Sequence, residues 1–351
     1  MPRHRRHARR PIGIAAAIAL ATVTLATTAA ATPAGAASAD RSVGAKSPAV
    51  TGFQGEWSPT SRIKASADAL TTVGVDGVNI APSGASVPAP SSDARRQLSA
   101  THRWHLRGEI LVGNYDEDLG DFSEQAAYRL LSSEHNRAVV ISQIVDAEQT
   151  QGWDGVCVDL EALRSRDRAG LTSFVAALDT ALPVGATLSI AISTYDSAKG
   201  YARAGYDLPA IADAVDRVTL MAYDQHGPWE DTPGPVGALP WQRAGLEAML
   251  ESVPAAKVEL GVAGYGYDWR PHSAVSVSDA KARKLVAQDH ATATYDASAH
   301  EWTATLSDGS VLWWSDARSY QDRVPLVDEY GLEGLAVWSL GLSDPIEAPK
   351  G

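Results

Sequence analysis

The segment Trp153-Asp154-Gly155-Val156-Cys157-Val158-Asp159-Leu160-Glu161 sets two carboxylates two residues apart at the end of an apolar run. In an extended strand alternate side chains share a face. Cys157, Asp159 and Glu161 therefore point one way, and Val156, Val158 and Leu160 the other. Asp159 and Glu161 then stand roughly 7 Å apart. In a cleft of low dielectric such a pair resists double ionisation, so one member keeps its proton to higher pH. A protonated glutamate at the mouth of a cleft is a general acid. The same acids could equally be salt-bridged structural groups, and the segment alone leaves both readings open.

A working Glu161 must be held at the rim of something. The chain alternates β-rich runs with helical patterns, which favours an α/β fold with parallel strands. Strands are expected at Val50–Glu56, Val73–Ala81, Arg107–Asn114, Trp153–Glu161, Ala186–Tyr195, Arg217–Tyr223, Val258–Tyr265 and Glu333–Leu340. Between them, Leu171, Phe174, Val175, Leu178 and Leu182 are spaced as one face of a helix, and so are Leu246, Met249, Leu250 and Val253. Both stripes read as core packing. Eight such units in about 300 residues predict a (β/α)8 TIM barrel. Its catalytic face is the C-terminal end of the strands, where Glu161 falls. Residues 270–315 interrupt the alternation and predict a small α+β insertion between the seventh and eighth strands, walling the cleft.

Other polar and aromatic residues fall at strand ends or just beyond: Asn114, Tyr195, His226 and Tyr267. Each is a candidate for lining the cleft. Trp57 could extend the aromatic lining of the cleft, whereas Trp302, Trp313 and Trp314 of the insertion read as structural packing. His102-x-x-His105 reads as a helix surface. The histidines show no metal-ligand spacing, so neither a metal nor a cofactor is expected. Nothing resembles a nucleotide loop or a Ser-His-Asp set.

The N-terminus is basic (five arginines in the first ten residues), then apolar from Ile12 to about Ala31, then rich in small residues up to Ala36 and Ala39. That order is a secretory signal, expected over residues 1–39, with a linker at 40–49 and the catalytic barrel at 50–346. An uncleaved anchor is the alternative. The chain carries a formal charge of −12, and about −17 without those five arginines. Nucleic-acid affinity comes largely from neutralising phosphates, so a nucleic-acid partner is not expected. Cys157 is the only cysteine, which leaves no intramolecular disulfide. A secreted monomer, with the cell wall a possible location and no membrane contact after cleavage, is the expectation.

The Asp154–Glu161 segment resembles the D-G-x-D-x-D-x-E motif of glycoside hydrolase family 18, the chitinase family. Asp154, Gly155, Asp159 and Glu161 match, and Cys157 stands where the family has Asp. Met221-Ala222-Tyr223-Asp224 is similar to its M-x-Y-D, Gly264-Tyr265-Gly266 to its Y-G segment, and Gly334–Trp338 to its closing strand. The stretches 221–241, 258–269 and 334–345 resemble most the bacterial branch that includes spore-cortex N-acetylglucosaminidases. The resemblance covers roughly residues 50–345.

It implies hydrolysis of β-linked N-acetylglucosamine glycans by a retaining, substrate-assisted mechanism, an exception to the two-carboxylate scheme. Glu161 would be acid then base, and Asp159 would orient the 2-acetamido group. Tyr223 would donate to the acetamide oxygen, Asp224 would hold the acetamide or a hydroxyl, and Trp338 would stack under the sugar. Asn114 and Tyr265 are further substrate-binding candidates. Asp154, Gly155, Cys157 and Met221 would be structural members of the motifs. Chitin, peptidoglycan and protein N-glycans all contain the required sugar. A chitinase-like lectin that binds without cleaving is the rival reading.

Overall fold

The structure is a computed structural model that describes residues 48–270 and 273–348. The expected signal peptide, and the linker up to residue 47, lie outside the described residues.

Eight parallel strands close into a barrel: Ala49–Gly55, Thr72–Asn79, Arg107–Gly113, Gly155–Asp159, Thr187–Ser193, Arg217–Met221, Val258–Ala263 and Gly334–Trp338. Each pairs with the next, and the eighth returns to the first with Ala336 opposite Thr51. This is the expected (β/α)8 barrel, and every expected strand is present. The fourth is shorter than Trp153–Glu161. It ends at Asp159, and a left-handed Ala162 (φ 56°) turns the chain, so Glu161 sits just beyond the strand on the rim.

The alternation of the fourth strand separates two cores. Val156, Val158 and Leu160 face outward and pack with Leu171, Phe174, Val175 and Leu178 of the helix Arg168–Ala181. Cys157 faces inward among Phe53, Leu111, Ala191 and Ala336. Gly155 lies against the fifth strand so closely that a Cβ there would sit 2.4 Å from the Thr187 carbonyl oxygen.

Nearer the N-terminal ends of the strands the interior is ionic. Arg217 bridges Glu109 (2.6 Å) and Glu259 (3.1 Å), all three buried. Ser189 and Thr187 donate to Glu109, each at 2.8 Å, and Thr51 donates to Glu259 at 2.8 Å. Breaking a buried pair strands the remaining charges. Arg217→Met is therefore expected to destabilise the barrel by about 3–5 kcal/mol. Denaturant unfolding of the two proteins checks this, and equal midpoints would show that the ionic core adds nothing.

The insertion is a five-stranded antiparallel sheet in the order Ser273–Val277, Gly266–Arg270, Val311–Trp314, Glu301–Thr305, Thr294–Asp296, with the helix Asp279–Asp289. It begins at Gly266 rather than near residue 270. Gly266–Arg270 follows the seventh barrel strand so directly that in sequence the two read as one run. Trp302 and Trp314 stack at 6.0 Å between ring centroids inside the insertion, which makes them packing residues as expected.

Candidate active site

A cavity of about 590 Å³ opens at the C-terminal ends of the strands and is lined by Asp159, Glu161, Met221, Tyr223, Asp224 and Trp338 among others. The barrel thus brings together the separate sequence motifs. Asp159 is the last residue of the fourth strand and is 7% exposed. Glu161 follows on the rim, where Asn114 grips its main chain. The Asn114 Oδ1 accepts the Glu161 N–H (2.8 Å), and its Nδ2 donates to the Glu161 carbonyl (3.0 Å) and to that of Ser123 (3.1 Å). Those bonds occupy its donors, so Asn114 positions the acid. It does not line the cavity as expected of a sugar contact.

Burial pushes the Glu161 carboxyl up to about 7, with the charges of Asp224 and Asp121 adding to it and a Ser193 hydrogen bond opposing. Burial, then Glu161, then Asp76 raise Asp159 well above the usual carboxylate range. The Asp159 Oδ1 is buried with no hydrogen-bond partner among the described residues. Below it Cys157 is fully buried, and burial raises its thiol, which is the opposite of an activated nucleophile.

The sign of the pH dependence follows. A general acid must carry its proton, so kcat/KM is expected to fall as pH rises through about 7. The Asp224 charge disfavours ionised Glu161, so Asp224→Asn should move this basic limb to lower pH. A pH–rate profile of both proteins checks it, and a limb unmoved in the variant would contradict the coupling.

Asp224 itself has a left-handed backbone (φ 60°), and two tyrosines hold its side chain. Its Oδ1 accepts hydrogen bonds from the hydroxyls of Tyr265 and Tyr267, the latter at 2.7 Å. Tyr265 is buried and spends its hydroxyl there. It positions Asp224 instead of reaching the cavity. The Tyr223 ring meets that of Tyr265 edge-on at 6.3 Å. It also lies over Gly261, where a Cβ would come 3.1 Å from it. Trp338 ends the eighth strand, tilted against Phe53 at 6.2 Å.

Of the other candidates, Trp57 stands at the mouth, 73% exposed and lining the cavity. Tyr195 instead packs on Tyr201 at 5.3 Å, and His226 bonds Glu230 at 2.8 Å. Asp154 lies at the opposite end of the fourth strand. Its Oδ2 accepts the Gly108 N–H (2.7 Å) and bonds His102 (2.8 Å), a structural role that also accounts for that histidine.

Three lining acids were not anticipated: Glu56, Asp76 and Glu117. Burial, with Glu56 and Glu117 adding to it, pushes Asp76 up to about 6. Alternation could have found Asp76, since Thr72, Gly74 and Asp76 share the inward face of the second strand. Glu117 lies between the short paired strands Tyr115–Asp116 and Asp121–Phe122, where no periodicity reports orientation.

The model of glycosyl hydrolases family 18 matches residues 111–343. The chain belongs to that family. This family 18 member is 29% identical over 268 residues to YdhD of Bacillus subtilis, named as a sporulation-specific glycosylase, which covers 72% of this chain and 64% of that one. It is 29% identical over 292 residues to the cortical fragment-lytic enzyme of the same organism, covering 79% of this chain and 66% of that one. It thus spans slightly less than two thirds of the length of both relatives. Among solved structures it is similar to a chitinase from Chromobacterium violaceum, with a TM-score of 0.75 at 28% identity, covering 85% of this chain and 95% of that one.

Proposed function

We propose that this family 18 enzyme hydrolyses β-linked N-acetylglucosamine glycans with retention, using the 2-acetamido group of its substrate as the nucleophile. The observation that carries this reading is Asp159 immediately beneath Glu161, buried, with an oxygen that has no hydrogen-bond partner among the described residues. Asp159 ends the fourth strand and Glu161 follows two residues later on the same rim, whereas an acid and a carboxylate nucleophile flank the glycosidic bond about 5–5.5 Å apart. Asp224, which lines the same cavity, is committed to two tyrosine hydroxyls, which weakens it as a nucleophile.

In the proposed sequence Glu161 protonates the leaving oxygen while the acetamide oxygen attacks the anomeric carbon. The bond to the leaving group breaks and a cyclic oxazolinium forms. Asp159 accepts from the acetamide N–H and offsets the developing positive charge, and Tyr223 donates to the acetamide oxygen. Water, deprotonated by Glu161, then opens the ring. Two displacements restore the original anomeric configuration. Trp338 supplies an apolar face for the sugar. A lectin-like role without cleavage is disfavoured because Glu161 is present and held in place.

Proton NMR of the first product formed from chitotetraose tests the proposal. The β-anomer is expected before mutarotation, and an initial α-anomer would refute it. The basic, apolar and small-residue order of the N-terminus supports export of this activity from the cell. Among the described residues no helix is long and apolar enough to cross a membrane.

A further inference from the structure

Among the described residues the cavity is lined by six acidic side chains and no basic one. Asp159, Glu161 and Asp224 belong to the proposed chemistry; Glu56, Asp76 and Glu117 do not. These three stand on the loops and strand ends of the first three barrel strands, beside the exposed Trp57. Glu56 is fixed by the Ser91 hydroxyl at 2.6 Å, and its main chain bonds that of Asp76 at 2.7 Å. None of the three forms an ion pair within 4 Å among the described residues. Asp76 faces the same volume as the unsatisfied Asp159, whose carboxyl it pushes up. Neutral sugar recognition needs no such concentration of like charge, and the wall works against its own burial.

We propose that Glu56, Asp76 and Glu117 form a charge filter that admits N-acetylglucosamine and N-deacetylated glucosamine units and turns away glycans bearing carboxylates. The inference rests on the proposed hydrolysis and narrows its substrate class. A chitin-type polymer is neutral, and a partly deacetylated one carries ammonium groups that these acids attract. The alternating polymer of N-acetylglucosamine and N-acetylmuramic acid carries a lactyl carboxylate on every second sugar, and that charge would enter a cavity to which no described residue brings a cation. At about 8 Å and an effective dielectric of about 40, one wall carboxylate disfavours such a group roughly fivefold. Salt shortens the reach of the effect from about 30 Å at 0.01 M to about 3 Å at 1 M.

The test compares two tetrasaccharides of N-acetylglucosamine and N-acetylmuramic acid that differ only in charge, one with free lactyl carboxylates and one with them amidated. Size and acetamide content are matched, so shape cannot produce a difference. The amidated form is expected to be cleaved at least about fivefold faster in low salt. That ratio should shrink towards one at 1 M salt, and also in Glu117→Gln and in the double variant Asp76→Asn, Glu117→Gln. Chitotetraose with one unit deacetylated should show the opposite salt trend. If neither muramyl form is cleaved, calorimetric binding of both to Glu161→Gln gives the same ratio. Equal rates and equal affinities for the two forms would overturn the filter, as would a ratio unchanged by salt and by both variants. Failure of the underlying chemistry reads differently: wild type would then leave chitotetraose itself intact.

Discussion

Glu161→Gln is expected to lower kcat at least ~100-fold, the low end of what a positioned general acid contributes, while leaving glycan affinity close to wild type. The amide keeps the volume of the carboxyl and can still hydrogen-bond, but it cannot deliver a proton to a leaving oxygen. The Asn114 grip acts on the main chain, so the substitution should not disturb it. A folded variant that turns over chitobiosides at near wild-type rate would mean that the acid lies elsewhere. Asp224 would then be the first alternative, because it lines the same cavity and its carboxyl is likewise raised by burial.

Asp159→Asn should cost a comparable factor, about 10²–10³ in kcat, the range seen on removing one preorganised electrostatic partner of a transition state. The loss should fall on kcat with KM little changed, because the charge that Asp159 offsets develops only as the oxazolinium forms. The site is dry enough for the effect to be large, since Asp159 is nearly wholly buried and has an unsatisfied oxygen. The substitution conserves shape, so steady-state kinetics on a chitooligosaccharide separate this role from a structural one. A variant with raised KM and unaltered kcat would assign Asp159 to ground-state binding alone.

Period-two alternation made the barrel and half of the site legible. It put Cys157 and Asp159 inside and Val156 and Val158 against the helices, because a strand offers only two faces and a closed barrel makes them chemically different. What sequence could not supply was long-range partnership. Asn114 reads as a sugar contact because it occupies a strand end, and Tyr265 because its segment resembles the family's Y-G. Whether a strand-end side chain meets ligand or protein depends on a neighbour far along the chain: Asp224 for Tyr265, and the main chain of Glu161 for Asn114. The ionic interior was hidden for the same reason. Glu109, Arg217 and Glu259 are isolated charges in three separate strands, and only barrel closure makes them one cluster. Cys157 was readable as an inert, buried thiol, since its position four residues below Glu161 placed it among the inward apolar layer.

The proposed mechanism turns on the substrate acetamide as nucleophile. The decisive measurement is the rate of aryl chitobioside hydrolysis against that of the matched aryl cellobioside, in which a hydroxyl replaces each acetamido group. Because a positioned intramolecular nucleophile has an effective molarity of 10⁵ M or more, the cellobioside should react at least ~10³-fold more slowly. Hydrolysis of the cellobioside within about tenfold of the chitobioside would mean that a protein carboxylate or water attacks instead, and would contradict the mechanism built on Glu161 and Asp159.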